Sequence, residues 1–556
     1  MPNPILGIDF GTSSCAVAIL GADGPRLIPD RAGREFLPSM VVVRDDGELL
    51  VGHEAVRESH KLAGQCFAVS SIKRRLDRTI EIKPGDGRTS PLILSALILA
   101  ELRLQAESHF SCDFNDAVIA VPANFGYFQR QFIKEAALIA GLNPIRIVNE
   151  ATTSVCMLPK DFEGLVTTAD LGGGTFDVSV VETGDGVSEV IYTDGADDLG
   201  GDDFTEVLEK LLLRKADMDF DVNYCRTHPV TSRRIRSAAE ELKCLLSGSD
   251  AAEARIPYLR THAGSFRDFA CTLSRMEFEQ ECAALLRRIE SLVEDTRPYV
   301  EKRGRMKKNW DSKLERPNAP AKASEGWFRQ LFSRVAAPTE PSGAATLKPS
   351  SPIPPFYSSI WLLGNATRMP AIGHRLRKQW HVQPAKVGDL KSPVALGAAQ
   401  IAGMLSGAEK SILLLDVTPR SVGTADKAGD FVPMILRNTS LPVACTQSFT
   451  TTVPNQTSIL LPIMEESRRA ASGAVQIGTL RIEGLIPCAA GIPKIDVKFD
   501  VDANAVLRVS AQDTATGRSV AVQCDELQLP ERTLNQYHGM VQDWLAQRRR
   551  RYGASG

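Results

Sequence analysis

Two short stretches of this sequence combine carboxylates, glycines and hydroxyl side chains directly after an apolar run. The first is GIDFGTSSC at residues 7–15, and the second is ADLGGGTFDV at residues 169–178. Glycines let the backbone approach phosphate oxygens closely, and the N–H groups of a tight turn can donate to them. One such stretch is typical of an ordinary hairpin turn. Two copies, each led by an aspartate, predict a duplicated phosphate-binding device with one β-hairpin in each half of a split domain.

The aspartates of both stretches are candidates for a magnesium site. Mg²⁺ usually keeps several of its waters and is held by few carboxylates. Asp9, Asp170 and Asp177 are therefore expected to hold a hydrated Mg²⁺.

Length and composition fit an ordinary soluble protein of two or three domains. The chain has 556 residues, of which 43% are apolar and 24% charged, and its net charge is −2. This charge gives no field that favours nucleic acid or a membrane, and no apolar run reaches the length of a membrane span. The 11 cysteines include no CxxC pair, which disfavours a zinc site or a disulfide scaffold. Because the N-terminus also lacks a signal-peptide pattern, we expect a cytoplasmic protein.

Changes in composition and in hydrophobic periodicity divide the chain into four parts. Strand-like and helix-like segments alternate through residues 1–406, which predicts an α/β domain. Within it, residues 302–355 are rich in Pro, Ala and Ser, as expected of a disordered insert. An apolar linker at 407–416 leads into short strand-like runs at 417–530, which predict an all-β domain. One helix at 531–556 ends the chain, and we expect its basic end to be a solvated terminus that suits the helix dipole.

The insert contains one apolar segment, WFRQLFSRV at residues 327–335. Its apolar side chains would share one face of a short helix. Such a helix could pack on its own domain or dock a partner.

Six ordered motifs resemble the 70-kDa heat-shock chaperones of the DnaK type. They are GIDFGTSS, IAVPANF, IRIVNEAT, DLGGGTFDVSVVE, LGGDDF and LLGNATRMP, and the linker LLLDVTPRSVG and the β-domain stretch NQTSILLPIMEESRRAA follow them. The resemblance covers nearly the whole chain except the insert, and the length and short tail are most similar to the HscC-type bacterial members. It implies a two-lobed, actin-like ATPase domain of duplicated ribonuclease-H-like halves. A β-sandwich that binds extended peptides would follow, with a short C-terminal helix in place of the full lid.

The resemblance implies that ATP or ADP binds with Mg²⁺ at residues within these motifs. Lys73 matches the catalytic lysine, whose ammonium would orient the attacking water and offset charge on the γ-phosphate. Glu150 would position magnesium-bound water. The implied catalytic set is Lys73, Glu150, Thr175, Asp9 and Asp177. The implied nucleotide contacts are Gly11, Thr12, Ser13, Asp170, Gly172, Gly173, Gly200, Gly201, Glu240, Lys243, Ser247, Gly364, Asn365 and Arg368.

Several of these residues have a plainer interpretation when taken alone. Lys73 would be a surface lysine, and Glu150 would be a helix cap or a surface acid. Glu240 and Lys243 are spaced i,i+3 on a predicted helix and could form a surface salt bridge.

Four positions depart from the family pattern. The usual Gly-Gly of the adenine motif is Gly364-Asn365, which adds a side chain where the backbone should lie close to the nucleotide. Ala151 replaces a proline, Asn124 an aromatic residue and Lys391 an acidic residue. These departures motivate an alternative, a regulatory or scaffold homologue that binds ATP weakly or does not hydrolyse it. An actin-like sugar kinase would share the nucleotide fold but would need neither the linker nor the β-domain.

The β-domain is implied to hold an extended peptide by backbone hydrogen bonds, with a pocket for an apolar side chain. Phe449 and Ile459 match the pocket positions, although both would also fit the core of a β-sandwich. Lys427 and Thr452 align with the two positions of the arch over the peptide, which are usually apolar.

The resemblance also implies coupling between the two domains. Pro122 and Arg130 match the switch between the lobes, and Arg146, Asn149 and Asp416 match positions that contact J-domain co-chaperones. ATP should favour a docked linker and fast peptide exchange, whereas ADP should favour separated domains and tight binding. The implied partners are client peptides, a J-domain co-chaperone and a nucleotide-exchange factor, with no nucleic acid or membrane, and the chain is expected to be a monomer. Without a full lid, peptide release should be faster.

Overall fold

A computed structural model of the chain describes most of its residues. The described ranges are 4–61, 66–76, 90–158, 162–184, 186–303, 359–386, 388–407, 413–426, 428–467, 470, 473–514, 521–525 and 529–553. Most of the predicted insert, its apolar segment at 327–335 and the predicted arch residue Lys427 lie outside them.

The first large sheet is built around the hairpin of the first phosphate-like stretch. Strand Leu6–Asp9 pairs antiparallel with Ser14–Gly21 on one side and parallel with Asp116–Val121 on the other. The spatial order of its strands is Gly24–Leu27, Ser14–Gly21, Leu6–Asp9, Asp116–Val121 and Asn143–Asn149, with Phe36–Pro38 also paired to Ser14–Gly21. The turn residues of GIDFGTSSC therefore lie at the end of a buried strand.

The second large sheet repeats this design around the second stretch. Strand Gly164–Leu171 pairs antiparallel with Phe176–Gly184 and parallel with Ser359–Leu363. The spatial order is Ala385–Lys386, Ser359–Leu363, Gly164–Leu171, Phe176–Gly184, Val187–Ala196 and Leu413–Leu415. Each half contains a hairpin, as the two phosphate-like stretches predicted, and in both halves a parallel strand lies beside it. The last strand of this sheet is part of the predicted linker, which pairs parallel with Val187–Ala196.

Two small sheets and the helices complete this mixed α/β region. The small sheets are Leu49–Val51, Met40–Arg44 and Cys66–Ser70, and the hairpin Ala251–Arg260 with Phe266–Ser274. The α-helices are His53–Lys61, Pro91–Phe110, Tyr127–Ile139, Glu150–Val155, Gly201–Ala216, Val222–Thr227, Pro229–Gly248, Arg275–Glu281, Ala283–Glu294, Pro370–Trp380 and Pro393–Leu405. Short 3₁₀ turns occur at Ile72–Arg75 and Asn365–Arg368. None of the helices in the described ranges is long and apolar enough to cross a bilayer.

The first large sheet and the helices packed on it are called the first lobe below. Helix Pro91–Phe110 shows how the sequence determines the core of this lobe. Its first half is apolar on every side, as expected of a buried helix, and most residues of the whole helix are buried, including Glu101, Arg103 and Glu107. Ser90 caps its first turn by accepting the N–H of Ile93, and Pro91 occupies a position where no N–H is needed. Helix Tyr127–Ile139 packs against it and brings its own apolar face to the same core.

The described residues between 417 and 525 form β-strands in two sheets. One sheet has the order Phe431–Ile435, Val422–Ala425, Ser458–Glu466, Ala474–Glu483 and Ala521–Asp525, and the other has the order Val443–Phe449, Ile495–Val501 and Leu507–Asp513. Buried side chains from both sheets, such as Leu480 and Phe499, belong to one hydrophobic cluster. The two sheets therefore share a core, as in a β-sandwich.

The C-terminal helix Glu531–Gly553 corrects one expectation. Its basic end was expected to be a solvated terminus, but the helix packs on the first lobe, where Trp544 and Leu545 join the core. The Arg548 side chain is only 6% exposed, and its guanidinium binds Glu101 at 2.9 Å and also Glu54. The spacing of aromatic and aliphatic residues ahead of the arginines was the missed signal, because it gives the helix an apolar face.

Arg548→Ala is expected to lower the free energy of unfolding by about 3 kcal/mol, because removing one partner of a buried ion pair leaves a buried charge uncompensated. The midpoint of urea unfolding, followed by circular dichroism, measures this change. Arg550→Ala alters an exposed arginine of the same helix and should change stability by less than about 0.5 kcal/mol. Equal midpoints for the two variants would contradict the packing of this helix.

Candidate functional site

The candidate site forms where the two glycine turns meet. A Cβ atom added at Gly173 would lie 1.9 Å from Ser13 Oγ, and one added at Gly11 would lie 2.1 Å from the carbonyl oxygen of Ser14. A side chain at Gly173 would push against Ser13 and separate the two turns, whereas a side chain at Gly11 would clash with the backbone of its own turn. The two hairpins, far apart in the sequence, thus form opposing walls of one cleft.

This cleft has a volume of about 460 Å³ and brings together most of the predicted site residues. Those lining it are Asp9, Gly11, Thr12, Ser13, Lys73, Glu150, Asp170, Gly172, Gly173, Thr175, Gly201, Glu240, Lys243, Ser247, Gly364, Asn365 and Arg368. Two predicted residues lie in its wall instead. Asp177 is buried and accepts the backbone N–H of Asn124 at 2.9 Å, and a Cβ added at Gly200 would lie 2.6 Å from the carbonyl oxygen of Gly173.

A buried ion pair lies in the cleft lining. Lys73 Nζ donates to Glu150 Oε1 at 2.7 Å, and the two side chains are only 2% and 10% exposed. Burial alone would lower the pKa of Lys73, but the carboxylates of Glu150 and Asp9 raise it above its ordinary value. The lysine is therefore a fixed, charged ammonium rather than the surface lysine that it would be if taken alone.

The aspartates of the two turns form a buried acidic group beside this ammonium. Burial, together with repulsion from Glu150, raises the pKa of Asp9 to about 7 and that of Asp177 to about 8. Burial and the same neighbouring carboxylates raise the pKa of Asp170 well above its ordinary range. These shifts mean that the carboxylates repel one another and that a cation would stabilise their charged forms.

This donor set fits a hydrated Mg²⁺ rather than a directly chelated metal. Within the described ranges, no three acidic, histidine or cysteine side chains converge closely enough to hold a metal ion themselves. Carboxylates that bind through water are compatible with this spacing, because Mg²⁺ retains much of its hydration shell.

Two polar contacts across the mouth of the cleft were not predicted from the sequence. Ser71 Oγ donates to Asp202 Oδ2 at 2.5 Å, and Arg74 Nη2 donates to Asp203 Oδ1 at 3.0 Å. Ser71 and Arg74 lie within two residues of Lys73, and Asp202 and Asp203 lie in the first turn of helix Gly201–Ala216. They join opposite sides of the cleft, and only the local sequence KRR hints at them.

Glu240 and Lys243 of helix Pro229–Gly248 form the expected i,i+3 ion pair, and both residues line the cleft. Lys243 Nζ lies 2.6 Å from Glu240 Oε2, so the i,i+3 ion pair exists. Lys243 is nevertheless buried, because its Nζ also donates to the carbonyl oxygen of Gly201 and to Thr205 Oγ1, both at 2.9 Å. The pair lines the cleft and ties this helix to the start of helix Gly201–Ala216.

Comparison with known protein families identifies the family of this chain. A family model described as Hsp70 protein matches residues 5–297 and 319–548, which is nearly the whole chain. The chain belongs to the Hsp70 family. Membership of the HscC-type subgroup stays a prediction.

Pro122 and Arg130, the residues predicted to form the switch between the lobes of this Hsp70 chain, lie behind the cleft. Arg130 is fully buried, and its guanidinium donates to the carbonyl oxygen of Phe125 at 3.0 Å and to Asn149 Oδ1. The carbonyl oxygen of Pro122 accepts the N–H of Phe125 at 3.1 Å. The loop 122–126 thus connects the strand Asp116–Val121 with helix Tyr127–Ile139, and Arg130 fixes its shape.

The hydrogen bonds around Arg130 continue through Asn149 to Asp416 in the predicted interdomain linker. Asn149 donates its side-chain amide to Asp416, and Thr152 Oγ1 donates to the same carboxylate at 3.4 Å. Burial raises the pKa of Asp416, although the nearby guanidinium of Arg130 opposes that rise. Two of the three predicted J-domain contacts, Asn149 and Asp416, are therefore buried against each other, whereas Arg146 is partly exposed.

The β-sandwich contacts the first lobe through groups that the sequence did not single out. The backbone N–H of Tyr127 donates to Glu465 Oε2 at 2.7 Å, and its hydroxyl donates to the carbonyl oxygen of Arg420 at 2.9 Å. Arg420 in turn binds Glu465 at 2.8 Å and donates from Nε to the carbonyl oxygen of Asn124 at 3.1 Å. The sandwich of this Hsp70 chain is therefore docked on the first lobe.

The predicted peptide-binding residues of the sandwich differ in their exposure. Ile459 is buried in the core, and Phe449 is partly buried against it. Thr452 is exposed, and its backbone N–H donates to Gln456 Oε1 at 3.0 Å. Of the pocket and arch positions that are described, only Thr452 is freely exposed in this docked arrangement.

Cysteine alkylation tests occupancy of the cleft. Cys244 is exposed and lines the cleft, whereas Cys112 is exposed outside it. Saturating ATP with Mg²⁺ should slow iodoacetamide labelling of Cys244 at least fivefold and leave that of Cys112 unchanged, as measured by peptide mass mapping. Buried Cys15 should stay unlabelled, because burial raises its pKa to about 12 and the thiolate is the reactive form. Unchanged labelling of Cys244 would show that nucleotide does not occupy this cleft.

Proposed function

We propose that this chain is an ATP-dependent chaperone of the cytoplasm that binds extended apolar peptides. Its nucleotide domain would be an actin-like ATPase with two duplicated lobes, and its β-sandwich would bind the client. The observation that carries this proposal is the buried Lys73–Glu150 pair beside two facing phosphate-type turns. Family membership supports the general chaperone function.

The two turns would hold the phosphates of ATP. Gly11, Gly173 and their neighbours present backbone N–H groups without side chains in the way, and Thr12 and Ser13 add hydroxyl donors. Such turns are suited to phosphate because their N–H groups point into a shared concavity. Bound Mg²⁺, held through water by Asp9, Asp170 and Asp177, would neutralise charge on the phosphates.

Lys73 and Glu150 would serve the hydrolytic step. Phosphoryl transfer to water depends mainly on positioning and on electrostatic stabilisation. Glu150 holds the ammonium of Lys73 in one place, so this charge can orient the attacking water and stabilise negative charge near Thr175. Because both side chains are buried, their effect is stronger than in bulk water.

The other end of the cleft would hold the adenosine. Glu240, Lys243 and Ser247 approach from helix Pro229–Gly248, and Arg368 approaches from the turn after strand Ser359–Leu363. The adenosine would thus be held between two elements from different parts of the chain, so its binding would favour a closed cleft.

Docking of the sandwich would couple nucleotide to peptide. In the docked arrangement, the linker strand pairs with the second large sheet and Glu465 binds the first lobe. We propose that ATP favours this arrangement and that hydrolysis releases it. A J-domain co-chaperone that recognises Asn149 and Asp416 would have to compete with their mutual hydrogen bond, which would make it a trigger of release.

Lys73→Ala is expected to slow single-turnover ATP hydrolysis by about 100-fold, because removing one positioned charge at a reacting centre costs about 10²–10³ in rate. Rapid mixing with radiolabelled ATP measures the rate. Lys386→Ala alters an exposed lysine on an edge strand and should leave the rate unchanged. Equal rates for Lys73→Ala and wild type would disprove hydrolysis at this pair, and ATP binding without turnover would favour the scaffold alternative.

Glu465→Ala is expected to abolish the acceleration of peptide release by ATP, because it removes a buried carboxylate that holds the docked sandwich. Fluorescence anisotropy of a labelled apolar peptide, followed after mixing with ATP, measures release. Glu483→Ala removes an exposed acid from the same sheet and serves as the control. Full acceleration in Glu465→Ala would show that this interface does not control release.

A further inference from the structure

We propose that Asn365 is a positioning residue for the nucleotide base. Its side-chain carbonyl holds the guanidinium of Arg368 as a flat surface on which a purine ring stacks. This inference rests on the proposed function, since it requires a nucleotide in the cleft. It also assigns a role to a side chain that departs from the Gly-Gly pattern of the family.

The backbone before Asn365 explains why its side chain does not block the cleft. Gly364 has φ of +76°, and a Cβ atom added there would lie 2.3 Å from the carbonyl oxygen of Leu171. Glycine is therefore required at this first position, where the chain passes close to the second phosphate turn. Asn365 begins the following 3₁₀ turn and is exposed toward the cleft.

The turn geometry brings Asn365 and Arg368 together. In a 3₁₀ turn, side chains three residues apart lie on the same side. Arg368 Nε accordingly donates to Asn365 Oδ1 at 2.7 Å. The hydroxyl of Thr367 donates to the carbonyl oxygen of Gly364 at 2.7 Å, which fixes the same turn from within. The amide oxygen of Asn365 is thus directed at the guanidinium rather than at the base position.

A second contact holds the other edge of the guanidinium. Arg368 Nη2 donates to the carbonyl oxygen of Asp389 at 2.9 Å. The Asp389 carboxylate accepts the N–H groups of Lys391 and Ser392 at 3.0 and 2.8 Å and the Ser392 hydroxyl at 2.7 Å, so the loop that provides this carbonyl is itself fixed. Two in-plane anchors leave the faces of the guanidinium free, and arginine stacks on aromatic rings through those faces.

The rest of the wall leaves room for a flat ring. Helix Pro229–Gly248 contributes the small side chains of Cys244 and Ser247 to the same cleft. A ligand with phosphates but no base would occupy the turns at the other end and would not touch Arg368. Asn365 should therefore affect nucleotides that carry a base and leave base-free phosphates unaffected.

The size of the effect follows from preorganisation. Immobilising a long side chain on binding costs about 0.5–1.5 kcal/mol, and an arginine that is already held avoids most of that cost. Loss of the Asn365 anchor should therefore weaken ATP binding about three- to tenfold.

Titration calorimetry of the full chain with Mg-ATP and with Mg-triphosphate, which lacks the base, tests this role. Asn365→Ala should weaken ATP binding about three- to tenfold and leave triphosphate binding unchanged. Asn365→Asp keeps the acceptor and should bind ATP within about twofold of wild type. Arg368→Ala should weaken ATP binding at least as much, and adding Asn365→Ala to it should cause no further loss, because the two residues act as one unit.

Several results would overturn the inference. One is an equal loss of ATP and triphosphate affinity in Asn365→Ala. Another is ATP binding by that variant that is unchanged or tighter than in the wild type. A third is weakened ATP binding in Asn365→Asp. Additive losses in the double variant would also contradict it. A wild-type chain that binds ATP while Asn365→Ala behaves identically refutes only this inference, whereas a wild-type chain that binds neither ligand refutes the proposed function as well.

Discussion

The cleft depends on a buried ammonium, that of Lys73, among carboxylates from different parts of the chain. Glu150 pairs with it directly, and Asp9 and Asp170 approach from the two hairpins. Burial, together with repulsion from Glu150, raises the pKa values of Asp9 and Asp170 despite the nearby ammonium. An uncompensated buried charge is costly, so a cation bound in the cleft would stabilise the close approach of the two lobes. The second phosphate turn has glycine at 173 and 174, where an added Cβ would lie 1.9 Å from Ser13 Oγ and 2.6 Å from Thr12 Cγ2, so the two turns meet closely.

The contacts behind the cleft continue from this acidic group to the β-sandwich. Asp177 accepts the N–H of Asn124, and the carbonyl oxygen of the same residue accepts Arg420 of the sandwich. Arg420 binds Glu465, which holds the N–H of Tyr127. The loop 122–126 and the first residue of the following helix, Tyr127, therefore contact both a carboxylate behind the cleft and the charged residues of the sandwich. A displacement of this loop would affect both sites, which is the physical requirement for coupling between them.

Much of the fold could be predicted from local patterns in the sequence, whereas cleft residues such as Lys73, Glu150 and Arg368 were expected there only from the resemblance to the 70-kDa heat-shock family. The two hairpins and the all-β region follow from strand-like runs and turn residues, and the turns bring together residues of recognisable type. The interface could not be predicted in this way. Arg420 and Glu465 look like ordinary solvent-facing charges of strand ends and become buried only through partners hundreds of positions away in the chain, such as Tyr127. Arg548 was misjudged for the same reason, since its acidic partners lie on distant helices.

The departures from the family pattern also acquire physical explanations. Asn124 can replace an aromatic residue because its backbone N–H and carbonyl groups make the contacts that matter. Lys391 places its ammonium 5.2 Å from the ring centre of Phe36 at the edge of the cleft, where both residues contribute to the lining. Asn365 accepts a hydrogen bond from Arg368 rather than filling the base position. These three positions lie outside the two phosphate-type turns, whose residues still line the cleft.

The central claim is that a hydrolytic cleft and a peptide-binding sandwich act as one coupled machine. Steady-state ATP turnover by the wild-type chain, with and without a saturating apolar peptide, tests it most directly. The account predicts measurable turnover that rises when the peptide binds, because peptide release and hydrolysis depend on the same docked interface. Turnover that is absent, or identical with and without peptide, would contradict it.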